Sequence, residues 1–212
     1  MYQPPHFRED RLDVQHALVR ANPLGILITL GADGLVANHI PFVLDADATP
    51  LGTLRCHVAR ANGQWSDLDP SLDALVVFQG ADRYVTPSWY ATKHETGKVV
   101  PTWNYAVVHA YGRARAMDDP AWVARQIAQL TAESEAGRAE PWRVTDAPAA
   151  FVAGQMKGIV GIEIEIARIE GKWKVSQNRP TADRVGVIAG LAADGDERSL
   201  AMAALVEAAG AE

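Results

Sequence analysis

Short apolar runs and alternating apolar positions, both typical of β-strands, occupy much of residues 24–78. Leu24–Leu30 stops at Gly31-Ala32-Asp33-Gly34, a sequence that favours a hairpin turn. Apolar residues then alternate through Val36–Leu44, where Pro41 indicates an edge or a bulge because it cannot donate a ladder hydrogen bond. Two further runs of the same character are Thr53–Ala59 and Ala74–Phe78.

The longest extended segment covers residues 99–117, and its length predicts a bend or a bulge. If it is extended from Thr102, that residue and Asn104 share one face. Trp103 and Tyr105 then lie on the opposite face, where they could pack in the core, lie at a contact between subunits or contact a ligand directly.

Residues 158–169 also alternate, with isoleucines on one face and glutamates on the other. Glu170-Gly171-Lys172 is predicted to turn the chain into a further strand, Trp173–Val175. Helices are expected over residues 8–21 and after Asp119-Pro120, where an acidic cap precedes a proline. Two more are expected at residues 182–191 and 198–209.

Six to eight strands in hairpin-like succession favour a mainly β fold, an antiparallel barrel with peripheral helices. We expect one domain over residues 1–212, whose C-terminal helices, from about residue 181 onward, pack on the barrel or on a partner subunit. The net charge of −6 supplies no attraction for nucleic acid. A single cysteine, no leader and no long apolar run indicate a soluble cytoplasmic protein without membrane association.

Two aromatic-hydroxyl segments carry the strongest functional signal: the first cassette, Tyr84–Tyr90, and the second cassette, Val100–Tyr105. Each places Trp and Tyr beside hydroxyl or amide side chains, and a proline stiffens each. A flat heteroaromatic ligand with a polar tail needs apolar faces and polar groups at its edges. The cassettes therefore predict a small-molecule site.

Two basic-polar clusters, His57–Asn62 and Gly171–Arg179, would complement a phosphate on such a ligand. Arg60 and Lys174 are the preferred phosphate ligands, because Arg113 and Arg115 could simply line a solvated strand face. The six histidines have no paired spacing, so no metal site is predicted.

At these positions the chain resembles the PaiB-like family of FMN-binding negative transcriptional regulators, over almost its whole length. The resemblance rests on long strings found in order: Met1-Tyr2 with Phe7, Asn38–Phe42, His57–Asn62, Pro87–Tyr90, Val100–Tyr105, His109 and Gly171–Asn178. Two positions depart from the family pattern. Ala81 stands where a proline usually follows glycine, and Val85 where isoleucine is common.

The resemblance implies a split β-barrel of the flavin-reductase and pyridoxamine-phosphate-oxidase type, with FMN at a homodimer interface. It also implies repression of sporulation and degradative-enzyme genes. No basic helix-turn-helix is evident, so we expect ligand sensing instead of direct DNA reading. The expected cofactor contacts are His57, Arg60, Asn62, Ser88, Trp89, Tyr90, Thr102, Trp103, Asn104, Lys172, Lys174, Gln177 and Asn178; no catalytic residue is expected.

A second reading is an enzyme on the same fold, an FMN-dependent oxidoreductase of the NAD(P)H:flavin reductase or pyridoxamine-phosphate-oxidase type. The flavin would then carry the redox chemistry while the protein orients the reactants. A haem-handling split barrel and a ligand-free interaction protein are the remaining alternatives.

Overall fold

The computed structural model describes residues 1–210, and they divide into two compact units. Unit 1 comprises residues 1–15, 79–108 and 170–210, and unit 2 comprises residues 16–78 and 109–169. The strands are β1 (Arg8–Glu9), β2 (Leu24–Gly31), β3 (Gly34–Pro41), β4 (Val43–Asp45), β5 (Thr53–Ala59), β6 (Ala74–Val85), β7 (Thr102–Gly112), β8 (Ala114–Met117), β9 (Ile159–Glu165) and β10 (Arg168–Lys174). The helices are α1 (Leu12–Ala21), α2 (Thr92–Thr96), α3 (Pro120–Glu135), α4 (Ala149–Met156), α5 (Thr181–Asp194) and α6 (Glu197–Ala208).

Unit 2 contains antiparallel hairpin pairings, as the alternating pattern predicts. β2 pairs with β3 on one side and with the start of β6 on the other. The predicted turn after β2 is confirmed, because Gly31 pairs with Gly34 at the tip of the hairpin. Gly34 has φ of 111°, a conformation that favours glycine. β3 is an edge strand, so Pro41 can lie in it although it has no N–H to donate to a neighbouring strand.

The second sheet of unit 2 has the order β4–β5–β9–β8 and is antiparallel throughout. Its faces follow the predicted alternation, since Ile162 and Ile164 are fully buried while Glu163 on the opposite face binds Arg55. Helix α3 begins where predicted, because the Asp119 carboxylate accepts two backbone N–H bonds of its first turn.

Unit 1 contains β1, β10, the start of β7 and the end of β6 as successive neighbours, followed by α5 and α6. The two predicted C-terminal helices are confirmed, and Ala211 and Glu212 lie outside the described residues. Helices α5 and α6 bury an apolar cluster together with Val85 and Tyr90 of the first cassette and with Val175 after β10. The members contributed by α5 and α6 are Val187, Leu191, Met202, Ala203 and Val206.

The structure corrects two strand boundaries. Glu170-Gly171-Lys172, predicted as a turn, lies inside β10, and the chain turns earlier, after β9. Gly171 serves close packing, because a Cβ there would lie 2.8 Å from the Glu9 carbonyl oxygen of β1. The alternation across residues 36–44 is also not one strand, since Phe42 separates β3 from β4.

The predicted bend of residues 99–117 is confirmed at Arg113, which separates β7 from β8. The predicted helix over residues 8–21 is confirmed only from Leu12, because Arg8–Glu9 pairs with β10 as β1. The sequence pattern does not predict the short helix α4 (Ala149–Met156). Within residues 1–210, no helix has the length and apolar character needed to cross a bilayer.

Candidate functional site

The second cassette lies at the start of β7 in unit 1, and its two faces differ as predicted. Asn104 is 1% exposed, whereas Trp103 on the opposite face is 54% exposed. The Asn104 amide donates to the Ser176 hydroxyl at 2.9 Å, which satisfies both buried groups. Ser176 has φ of 65°, so this hydrogen bond holds a left-handed residue in the loop after β10.

Lys174 of β10 connects the neighbouring strand to the second cassette. Its ammonium donates to the Trp103 carbonyl oxygen at 2.6 Å and to the Thr102 hydroxyl. Of the predicted contacts, the structure therefore brings Thr102, Trp103 and Lys174 together at one place. Both partners of the ammonium are neutral, so no opposite charge compensates it there.

Three cationic side chains, Lys172, Lys174 and Arg179, form what we call the cation cluster. Burial lowers the pKa of Lys174, and the neighbouring positive charges of Lys172 and Arg179 lower it further. Among residues 1–210, none of the three forms an ion pair with a carboxylate. The cluster is therefore a concentration of uncompensated positive charge.

The other partners of the cation cluster are aromatic rings and backbone oxygens. Lys172 is 7% exposed, and its ammonium lies 5.5 Å and 5.3 Å from the ring centroids of Tyr2 and Tyr105. It also donates to the Tyr2 carbonyl oxygen at 3.0 Å. The Arg179 guanidinium lies 4.3 Å from the centroid of Tyr90. Such contacts stabilise cations without neutralising them.

An exposed aromatic pair adjoins these groups through the second cassette. The rings of Tyr84 and Trp103 meet edge to face, with centroids 6.2 Å apart. Both residues are about half exposed, at 46% and 54%. They offer apolar surface in the same unit as the cation cluster, which is the combination that a phosphorylated aromatic ligand needs.

The first cassette forms a short 3₁₀ turn, Pro87–Trp89, that the Thr86 hydroxyl caps by accepting from the Ser88 N–H. Ser88 is exposed and its hydroxyl accepts from Lys93 at 3.3 Å. Tyr90 is buried in the apolar cluster of unit 1. Trp89 packs against α5, so this cassette contacts the C-terminal helices of the unit.

At the end of the second basic-polar cluster, the Gln177 side chain forms hydrogen bonds with the backbone of its own loop. Gln177 accepts from the Val175 N–H at 2.8 Å and donates back to the Trp173 carbonyl oxygen. Asn178, in contrast, is exposed. These bonds shape the loop that carries Arg179, and Asn178 is the freer of the two amides.

The predicted contacts of the first basic cluster lie in unit 2 and have protein partners. The Arg60 guanidinium binds both oxygens of Asp118, at 3.0 and 2.5 Å, and two backbone carbonyl oxygens. This ion pair also lowers the pKa of Asp118. His57 Nδ1 lies 2.7 Å from the Gln126 amide oxygen, and the Asn62 side chain caps a 3₁₀ turn.

Arg60 therefore differs from Lys174 in how its charge is used. Asp118 already supplies the bidentate carboxylate that a phosphate would have to replace. The structure also adds two residues that the predicted contacts omit, Arg179 and Tyr84. Arg179 is the last residue of the predicted second basic-polar cluster and Tyr84 is the first residue of the first cassette, so both lay within the predicted segments.

The antiparallel sheets and their peripheral helices define the class of split-barrel proteins. The structure of the flavocytochrome Anf3 from Azotobacter vinelandii matches with a TM-score of 0.60 at 17% identity, covering 79% of this chain and 69% of that one. The mainly antiparallel split-barrel fold predicted above is thus confirmed.

The particular family follows from the sequence comparisons. The model of the family "Putative FMN-binding domain" matches residues 1–168, so the chain belongs to this FMN-binding family, and FMN is its cofactor. The Bacillus subtilis protease synthase and sporulation protein PAI 2 is 30% identical, over 98% of this chain and 97% of that protein. An uncharacterized protein of Emericella nidulans, AN0679, is 38% identical over 99% and 98%. The resemblance to the PaiB-like family is therefore confirmed.

Proposed function

We propose that this protein is a PaiB-type transcriptional regulator that works as a homodimeric FMN sensor, with the flavin phosphate held by the cation cluster. One observation carries the assignment of the site. Lys172, Lys174 and Arg179 form no ion pair with a carboxylate within residues 1–210, and burial together with the positive charges of Lys172 and Arg179 lowers the pKa of Lys174. A phosphate dianion would supply the missing opposite charge.

The donor set fits FMN in kind. Lys174 and Arg179 would bind the phosphate oxygens, and Lys172 would add positive charge from a more buried position. The Thr102 hydroxyl, which accepts from Lys174, would offer a further polar group. The exposed pair of Tyr84 and Trp103 would provide apolar surface for the flavin ring, which supplies redox chemistry when bound.

The regulatory part of the proposal rests on kinship with the sporulation protein PAI 2 of Bacillus subtilis, which aligns over nearly the full length of both chains. The remaining predicted contacts, including His57, Arg60 and Asn62, stay predictions; because Asp118 holds the guanidinium of Arg60, we expect Arg60 to contribute less to FMN binding than Lys174. A regulator of this kind would respond to the flavin. Helices α5 and α6 contain one arginine each and no lysine, so neither has the basic character of a base-reading helix.

Binding of FMN can be tested by titrating the purified protein and following the quenching of flavin fluorescence. Riboflavin, which lacks the phosphate, is the matched control ligand. We expect FMN to bind at least about tenfold more tightly, which corresponds to about 1.4 kcal/mol. Equal affinities would contradict the role of the cation cluster, and sedimentation equilibrium on the same samples would test the homodimer.

An FMN-dependent oxidoreductase is the second candidate, favoured by the exposed Tyr84–Trp103 pair, against which a second planar ring could pack. The fold match to a flavocytochrome is consistent with it. Steady-state oxidation of NAD(P)H by the FMN-loaded protein would favour the enzyme. A gel-shift showing specific, salt-sensitive binding to DNA would favour a regulator that contacts DNA directly.

A further inference from the structure

Helix α5 carries a groove that seats the first cassette. A Cβ at Gly186 would lie 1.9 Å from the Trp89 carbonyl oxygen, and a Cβ at Gly190 would lie 2.3 Å from two atoms of the Trp89 ring. Neither position has room for any side chain. The two glycines are one helical turn apart, so together they let Trp89 lie directly against the helix backbone.

A buried carboxylate of the same helix fixes the chain just beyond the cassette. Asp183 has no exposed surface, and its two oxygens accept from the Thr92 N–H at 3.0 Å and from the Thr92 hydroxyl at 2.9 Å. A buried carboxylate is costly unless it is hydrogen-bonded, so these bonds tie Thr92 closely to α5. Trp89 and Thr92 are thus both held by one face of the helix.

This docking reaches the cation cluster through two neighbours. Tyr90 lies between the two held residues and is 1% exposed, in a cluster that includes Val187 of α5. The Arg179 guanidinium lies over the Tyr90 ring. Arg179 is also only two residues before Thr181, where α5 begins. The position of α5 therefore determines both the surface beneath Arg179 and the point from which its side chain starts.

We propose that α5 is a positioning element of the FMN site: Gly186, Gly190 and Asp183 hold the first cassette so that Arg179 completes the phosphate-binding cation cluster. This inference rests on the proposed function, since it assigns the phosphate to that cluster. The helix lies beyond residues 1–168, the part that the family model matches. Gly186 and Gly190 contact Trp89 of the cassette, and Asp183 contacts Thr92 just beyond it.

The test compares Gly186→Val and Gly190→Val with Gly154→Val, and measures the dissociation constants of FMN and riboflavin for each. Gly154 is the matched control, because it is also a helical glycine but has open space around its Cβ position. We expect the α5 variants to bind FMN at least about tenfold more weakly, with riboflavin affinity and far-UV circular dichroism near wild type. The control should retain both affinities within about twofold.

Loss of the preference for FMN is the decisive readout, because general unfolding would weaken both ligands together. Unchanged FMN affinity in the α5 variants, or an equal loss of both ligands, overturns the inference. If the valine variants do not fold, Thr92→Val tests the other contact of α5, because it replaces the hydroxyl that donates to Asp183 with a methyl group. It should also weaken FMN binding more than riboflavin binding. A wild-type protein that does not distinguish FMN from riboflavin would contradict the proposed function instead.

Discussion

The ion-paired arginines of unit 2 and the cation cluster of unit 1 differ in how their positive charge is compensated. In unit 2, Arg55 binds Asp45 and Glu163, Arg60 binds Asp118, and Arg115 lies beside two glutamates. In unit 1, the cation cluster has only neutral partners among the described residues. The difference indicates that the arginines of unit 2 stabilise its fold, whereas the cation cluster of unit 1 has no carboxylate partner among residues 1–210 and is available to the phosphate proposed above.

The comparison also separates residues that look alike in sequence. Arg60 and Lys174 each stand near the end of a strand in a basic-polar segment, and both are attractive phosphate ligands on that basis. Their hydrogen-bond partners distinguish them. The guanidinium of Arg60 binds a carboxylate, whereas the ammonium of Lys174 donates to a hydroxyl and a carbonyl oxygen.

The largest expected effect comes from Lys174→Ala, compared with Arg60→Ala. Hydrogen bonds to charged groups contribute about 1.5–3 kcal/mol, so Lys174→Ala should weaken FMN binding about 10- to 100-fold. Arg60→Ala should change it less than about twofold and instead lower the melting temperature, because Asp118 loses its partner. Fluorescence titration and thermal melting measure both. The reverse order of FMN affinities would break the contrast between the units.

The next effect concerns the stability of unit 1. Asn104→Ala should leave the Ser176 hydroxyl without its partner in a buried site and lower the free energy of unfolding by about 1–3 kcal/mol. Asn38→Ala is a control, since that amide donates to Gln64 in unit 2 from a partly exposed position. Urea denaturation of both variants measures the difference. A smaller loss for Asn104→Ala than for the control would contradict the structural role of this bond.

The pH dependence of FMN affinity sharpens the contrast further. Because the pKa of Lys174 is lower than its ordinary value of 10.5, the ammonium loses its proton earlier than an exposed lysine as pH rises. FMN affinity should therefore be constant near neutrality and fall in alkaline solution, by at most about tenfold per pH unit for this one group. Lys174→Met, which cannot titrate, should flatten that fall. An unchanged slope in this variant would assign the titration to another residue.

The smallest effect concerns a charge of unit 1 that does have a partner. Hydrogen bonds from Arg83 and then from Ser199 lower the pKa of Asp196, the capping residue of α6. Since the folded pKa is below the unfolded value near 3.8, this stabilisation is present above that pH and is lost as pH falls. Asp196→Asn should lower the melting temperature slightly at pH 7 and not at the most acidic pH. An equal loss at both values would show that charge is not responsible.

Much of the fold follows from local patterns. The hairpin tip at Gly31–Gly34, β5 and the capped start of α3 depend on alternation and on cap residues, which a short segment contains in full. The error at Glu170-Gly171-Lys172 has a nonlocal cause. Gly171 resembles a turn glycine, but it is required by the approach of β1 from the far end of the sequence.

The candidate site shows the same division. The alternation of β7 correctly separates the buried Asn104 from the exposed Trp103, because a strand's faces are a local property. Which cation has a carboxylate partner depends on nonlocal contacts. Asp118 and Arg60 are 58 residues apart in sequence, and their pairing is visible only in the folded chain.

Strand periodicity and local composition predicted the antiparallel β fold and the two cassettes, because both are properties of short segments. The split-barrel class and FMN as cofactor came from the resemblance of long residue strings to the PaiB-like family. Only the tertiary structure showed that the cation cluster lacks a carboxylate partner among residues 1–210, and that Trp89 lies in a groove of α5. The physical reason is that charge compensation and close packing depend on distances between remote segments, which no local pattern encodes.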